Sequence, residues 1–110
     1  MTFQHKQLAS GEWHKLPMIS QLANLGSEVI RALSWRAKGN EDYARKAFER
    51  SLELFDLTVS DPKNLGRLKE ILRAHEAWVD FFAYDNIYHS TAEQWQKYFL
   101  AFNWAANKGK

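Results

Sequence analysis

The sequence predicts an all-α protein, an antiparallel up-and-down four-helix bundle, and three observations carry that prediction. Apolar residues recur at three- and four-residue steps through four successive stretches. No stretch sustains the period-two alternation of a strand. The chain's two prolines both stand where one stretch gives way to another.

The first helix is expected from Pro17, which suits a first helical turn because its missing N–H has no partner there. Ile19, Leu22, Gly26, Val29, Ile30 and Leu33 form its apolar stripe. Gly39-Asn40 closes it: Gly39 can take the left-handed conformation of a helix end, and Asn40 can cap the next helix. That second helix is expected from Glu41 to Ser60, with Ala44, Phe48, Ser51, Leu52, Phe55 and Val59 inward. Arg45, Glu49, Glu53 and Asp56 share another face. Asp61-Pro62 breaks it, because the residue before proline is pushed out of helical geometry, and Asp61 is placed to cap the third helix. The third helix is expected from Pro62 to Ala83, on a stripe of Leu65, Leu68, Leu72, His75, Val79 and Phe82 widened by Ile71 and Trp78. Tyr84-Asp85-Asn86 ends it. Ser90-Thr91-Ala92-Glu93 reads as a capping box through Ser90 and Glu93. The fourth helix then buries Ala92, Trp95, Phe99, Phe102 and Ala106 and runs to Asn107.

Composition agrees with one domain over residues 1–110 that includes a polar N-terminal lead-in at about 1–15. The chain is 45% hydrophobic, with five Trp, four Tyr and seven Phe, enough for one core. Fifteen Lys and Arg against thirteen Asp and Glu leave a formal charge of +2, and the two signs alternate along every segment. That is no nucleic-acid footprint. With no cysteine, disulfides, thiolate metal sites and cysteine nucleophiles are excluded. No signal-like segment and no membrane-spanning run of about 18 apolar residues occurs, so a soluble, cytoplasmic protein is expected.

Candidate chemistry is sparse. His75 interrupts the best apolar stripe. A buried, hydrogen-bonded imidazole is the favoured reading over an acid–base group, because no carboxylate shares its face at helical spacing. No Glu-x-x-His pair is present for a di-iron bundle, and phosphate-cradling loops and nucleophile elbows are absent. Asp85 and His89 are a weak metal signal, so neither metal nor cofactor is expected. Charged ladders (Glu28 with Arg31; Arg45, Glu49 and Glu53 with Asp56; Arg73, Glu76 and Asp80 with Lys69) read as solvated faces. Were two of them to converge, they and His75 would form a polar site.

Large apolar residues on polar faces say more. Trp35 projects with Asn24, Glu28 and Arg31; Leu57 is similarly placed; Leu100 and Trp104, four apart, project with Glu93 and Lys97. Tryptophan is enriched at interface hot spots. These four residues are candidates for a self-association surface, with a dimer favoured and another protein as the alternative partner. The competing reading has Phe3, Leu8 and Trp13 of the lead-in covering them.

Leu22-Ala23, Glu28 to Ala37, Lys38-Gly39-Asn40 and Ala47 to Leu54 resemble the first two helices of HEPN-type proteins. These are small helical bundles often partnered with minimal nucleotidyltransferases in toxin–antitoxin systems, many acting on RNA. The ribonuclease members carry an Arg, four to six residues, then His. Here Arg73 stands too close to His75, Arg67 too far from it, and His89 lacks a partner, so no catalytic residue carries over. Lys38 to Pro62 also resembles one tetratricopeptide helix pair, and a single copy makes no solenoid. Gly26-Ser27-Glu28, Lys38-Gly39-Asn40, Leu52 to Thr58 and Asp61-Pro62 resemble a small prokaryotic helical family of uncharacterised function.

The function expected on these grounds is a non-catalytic, self-associating interaction module. The alternative is an RNA- or nucleotide-directed accessory or nuclease using Arg73, His75, Glu76 and Asp80.

Overall fold

In the computed structural model, which describes residues 9–108, four main helices pack on one another: α1 (Met18–Ala37), α2 (Glu41–Val59), α3 (Leu68–Ala83) and α4 (Ala92–Asn107). The all-α bundle expected from periodicity is what the chain forms. Helix α1 packs against both α2 and α4, and α3 packs against α2, with Trp78 of α3 reaching Trp95 of α4. No helix of the described residues is long and apolar enough to cross a membrane.

The α1–α2 junction forms as its residues dictate. Gly39 takes φ +79°, Asn40 N–H donates to the Trp35 carbonyl at 2.9 Å, and the Asn40 side chain accepts from Tyr43 N–H at 3.0 Å. A left-handed glycine and a side-chain cap thus satisfy backbone groups of both helix ends within three residues. Asp61 likewise caps the segment after Pro62, accepting from Lys63 N–H at 3.1 Å.

That segment corrects the third-helix expectation. Pro62–Arg67 is a 3₁₀ helix, and the α-helix begins only at Leu68. Three residues per turn instead of 3.6 changes the phase of the stripe. Leu65 is left 72% exposed and Leu72 44% exposed, while Ile71 and Trp78, expected at the stripe's edge, form its buried centre. Ile19, also expected in the core, is exposed, and Leu25 is fully buried instead. The capping box of α4 lies one residue later than expected. Thr91 Oγ1 accepts from Gln94 N–H at 3.1 Å and Gln94 Oε1 from Thr91 N–H at 3.0 Å. Ser90 is already engaged, its N–H donating to Asn86 Oδ1 and its carbonyl accepting from Asn86 Nδ2.

Two devices hold the helices together. At Gly26 the α4 chain comes so near that a Cβ there would lie 2.6 Å from Phe99 Cβ. Phe99 is 1% exposed and seats on this bare patch of α1. Between α2, α3 and α4 the space is filled by rings. Trp78 lies 5.8 Å from Phe48, 5.3 Å from Phe82 and 5.5 Å from Trp95 between centroids, and its Nε1–H donates to Ser51 Oγ at 3.0 Å. Trp95 continues the series to Phe99. Offset and edge-to-face pairs of this kind add about 0.5–1.5 kcal/mol each beyond burial.

Candidate functional site

The buried polar groups show where the fold has spent desolvation. Gln21 is wholly buried, as are Thr58 and, nearly, Asn64, and they join into one network. Gln21 Nε2 donates to Asp61 Oδ2 at 2.8 Å and to the Trp13 carbonyl at 2.9 Å. Asn64 Nδ2 donates to Gln21 Oε1 and to the Thr58 carbonyl, and Trp13 Nε1–H reaches Thr58 Oγ1 at 3.2 Å. Burial would push the Asp61 carboxyl up, but hydrogen bonds from Lys63 and Gln21 and the Lys63 charge hold it below the usual value. The network ties lead-in, α1, α2 and the α2–α3 connection together, and among the described residues its donors and acceptors are used on one another and on nearby backbone, Asn64 Oδ1 excepted. It is a structural knot, and Trp13 is taken up by it. Of the lead-in apolar residues expected to cover surface residues, Trp13 is thus placed, while Phe3 and Leu8 lie outside the described residues.

The polar candidates fall into two separate places. Between α1 and α2, Glu28 is 7% exposed and pairs with Arg31 on its own helix, and its Oε2 lies 3.7 Å from Arg50 Nε across the helix junction. Glu53, one turn further along α2, is also buried, correcting its expected place on a solvated face; Asp56 is exposed as expected. Arg31 and Arg50, with Trp35, Tyr43 and Lys46, line an open cleft of about 330 Å³. Trp35 is therefore half-buried, edge-to-face with Tyr43 at 4.8 Å.

The second place is the outer face of α3. His75, Glu76 and Asp80 line a shallow groove with Leu72, Val79, Tyr84, Ile87 and Tyr88. Both acids serve the loop. Tyr88 O–H donates to Glu76 at 2.8 Å, Tyr88 N–H donates to Asp80 at 3.3 Å, and the Glu76 bond raises the Tyr88 phenol above its usual value. His75 is half-buried and stacks on Phe55 at 4.9 Å. Arg73 is exposed on the same helix. The structure thus keeps the Glu28–Arg31 pair and the α3 residues apart, and places Arg50 and Tyr43, which spacing had not singled out, beside the former. Among the described residues no group of three or more His, Asp or Glu is placed to hold a metal ion.

The apolar candidates separate as well. Leu57 is half-buried and packs against the core. Leu100 and Trp104 stand free on α4, 51% and 66% exposed, and bound a shallow hollow of about 390 Å³ with Asn103, Asn107 and Lys108. The Lys108 ammonium lies 5.1 Å from the Trp104 ring centroid.

Comparisons with family models, with characterised proteins and with solved structures find no match to this chain. The chain is a small all-helical protein, and the HEPN-type resemblance rests on sequence pattern.

Proposed function

We propose that the protein is a non-catalytic interaction module that self-associates through the outer face of α4. The observation that carries the reading is the pair Leu100 and Trp104, one helical turn apart and both more than half exposed. At about 100° per residue, Glu93, Lys97 and Asn107 share that face, with Lys108 at its margin. All four are exposed.

A second copy is the partner this face suits, because the face complements itself. Two α4 helices crossing antiparallel about a two-fold axis between Leu100 and Ala101 place Glu93 opposite Lys108 and Lys97 opposite Trp104. That brings an ion pair and a cation–π contact to each side of a central apolar pair. An exposed tryptophan flanked by its own cation is an anchor of the kind that dominates interface energetics.

Leu100→Glu combined with Trp104→Glu should leave the helical content and melting temperature unchanged and leave only monomer in sedimentation velocity. Glu93→Lys should weaken the dimer, and adding Lys108→Glu in the same chain should restore it. Dimer surviving the paired Glu substitutions would reject α4 as the interface; a monomeric parent that captures a heterologous protein through Trp104 would reject self-association.

A further inference from the structure

The α1–α2 cleft has a composition that self-association through α4 does not use. Its lining brings three cations (Arg31, Lys46 and Arg50) together with two aromatic rings (Trp35 and Tyr43), and among the described residues no carboxylate lines it. Glu28, buried, pairs with Arg31 of α1 and has its second oxygen 3.7 Å from Arg50 Nε of α2, so guanidiniums from both helices converge on one carboxylate. The three cations stand in the cleft wall, whereas Glu28 and Glu53 are buried. Lys46 stands 5.6 Å from the Tyr43 ring centroid, and Lys38 5.1 Å from that of Trp35, so charge and ring faces are interleaved. Along the sequence the two signs alternate; the fold gathers the positive ones here.

We infer that this cleft binds a nucleotide unit, its phosphate on Arg31, Lys46 and Arg50 and its base on the Tyr43–Trp35 wall. Guanidinium groups present paired donors that match phosphate oxygens, and a buried carboxylate that holds them in place reduces the ordering cost of binding. Tyr43 is 49% exposed, so a planar ring can lie against it. Cations lining a groove beside aromatic platforms are the combination that holds single nucleotides or unpaired strands without reading sequence. A volume of about 330 Å³ accommodates one such unit and not an extended ligand. The unit can be a free nucleotide or one residue of a single strand, since both present the same phosphate and base.

The test is calorimetric titration of the full chain at low salt with AMP, adenosine, inorganic phosphate and a short single-stranded oligoadenylate. AMP or the oligonucleotide should bind saturably, at least about tenfold more tightly than adenosine or phosphate, and weaken as salt is added. An oligonucleotide that binds far more tightly than AMP identifies a strand as the source; equal affinities identify the free nucleotide. Lys46→Ala and Tyr43→Ala, both on exposed side chains, should each weaken binding about tenfold with an unchanged melting temperature, and Tyr43→Phe should restore it. Absence of saturable binding by both AMP and the oligonucleotide overturns the inference. So do phosphate binding as tight as that of AMP, and affinities that Lys46→Ala and Tyr43→Ala leave unmoved.

Discussion

Gly26→Ala sets two known effects against each other at one atom. In an unpacked helix the change would stabilise by about 1 kcal/mol, the difference in helix propensity. Here the new Cβ would stand 2.6 Å from Phe99 Cβ and 2.8 Å from its Cγ and Cδ1. Carbon atoms in contact prefer about 3.5–4.0 Å, so α1 and α4 would have to separate by about 1 Å. The blocking atom is a Cβ anchored to the α4 backbone, and rotating the Phe99 side chain cannot move it. Overpacking of this kind costs about 1–3 kcal/mol, and an immovable neighbour places the cost at the upper end. The expected net loss is about 2 kcal/mol, which for a domain of this size lowers the melting temperature by about 10 °C. Urea denaturation should show a lower midpoint with an unchanged slope. Gly66→Ala is the control, because no described atom lies within 4 Å of a Cβ there, and it should leave stability unchanged or raise it by up to about 1 kcal/mol. A Gly26→Ala protein as stable as the parent, or more so, would refute the close α1–α4 approach.

Other parts of the structure can be tested in the same way. Trp95 Nε1–H is buried with no acceptor among the described residues, whereas that of Trp78 bonds Ser51; Trp95→Phe should therefore cost at least about 1 kcal/mol less than Trp78→Phe by urea midpoints. Burial, then the Glu70 carboxylate, pushes the Tyr98 phenol up to about 12. The folded state thus keeps a proton that the unfolded chain loses near 10, so stability falls as pH rises from about 10 to 12, and Tyr98→Phe should flatten that fall in pH-dependent denaturation. Asp61 is held below its ordinary 3.8, so the stability it contributes is present above that value and is lost as pH falls through the lower folded one. Asp61→Asn should remove this acid-side slope. It should also cost about 1–3 kcal/mol at neutral pH, by turning an amide donor toward Gln21 and Lys63.

What the sequence disclosed and what it withheld differ by range. Gly39 and Asn40 act on backbone groups within five residues, so the α1–α2 junction was legible in full. The α4 face was legible too, because Leu100 and Trp104 share a face by spacing alone and no element of the described residues covers them. The third stripe went wrong at Leu65 and Leu72 because a 3₁₀ turn after Pro62 changes the residues per turn, and local composition permits either helix. Gln21 and Asn64 gave no signal, since their burial depends on partners some forty residues away. Glu53 was placed outside because at helical spacing it shares a face with Arg45, Glu49 and Asp56, though it is buried in the fold. The α1–α2 cleft was half legible: Arg31 and Trp35 were visible as one surface of the first helix, but Tyr43, Lys46 and Arg50 meet them only once the hairpin closes.

Sedimentation equilibrium of the unaltered protein over a wide concentration range bears most directly on the α4 reading. Self-association predicts a mass that rises with concentration to twice that of the 12.9 kDa chain and stops there, as a two-fold contact closes on itself. A mass that stays at one chain at every concentration would contradict it.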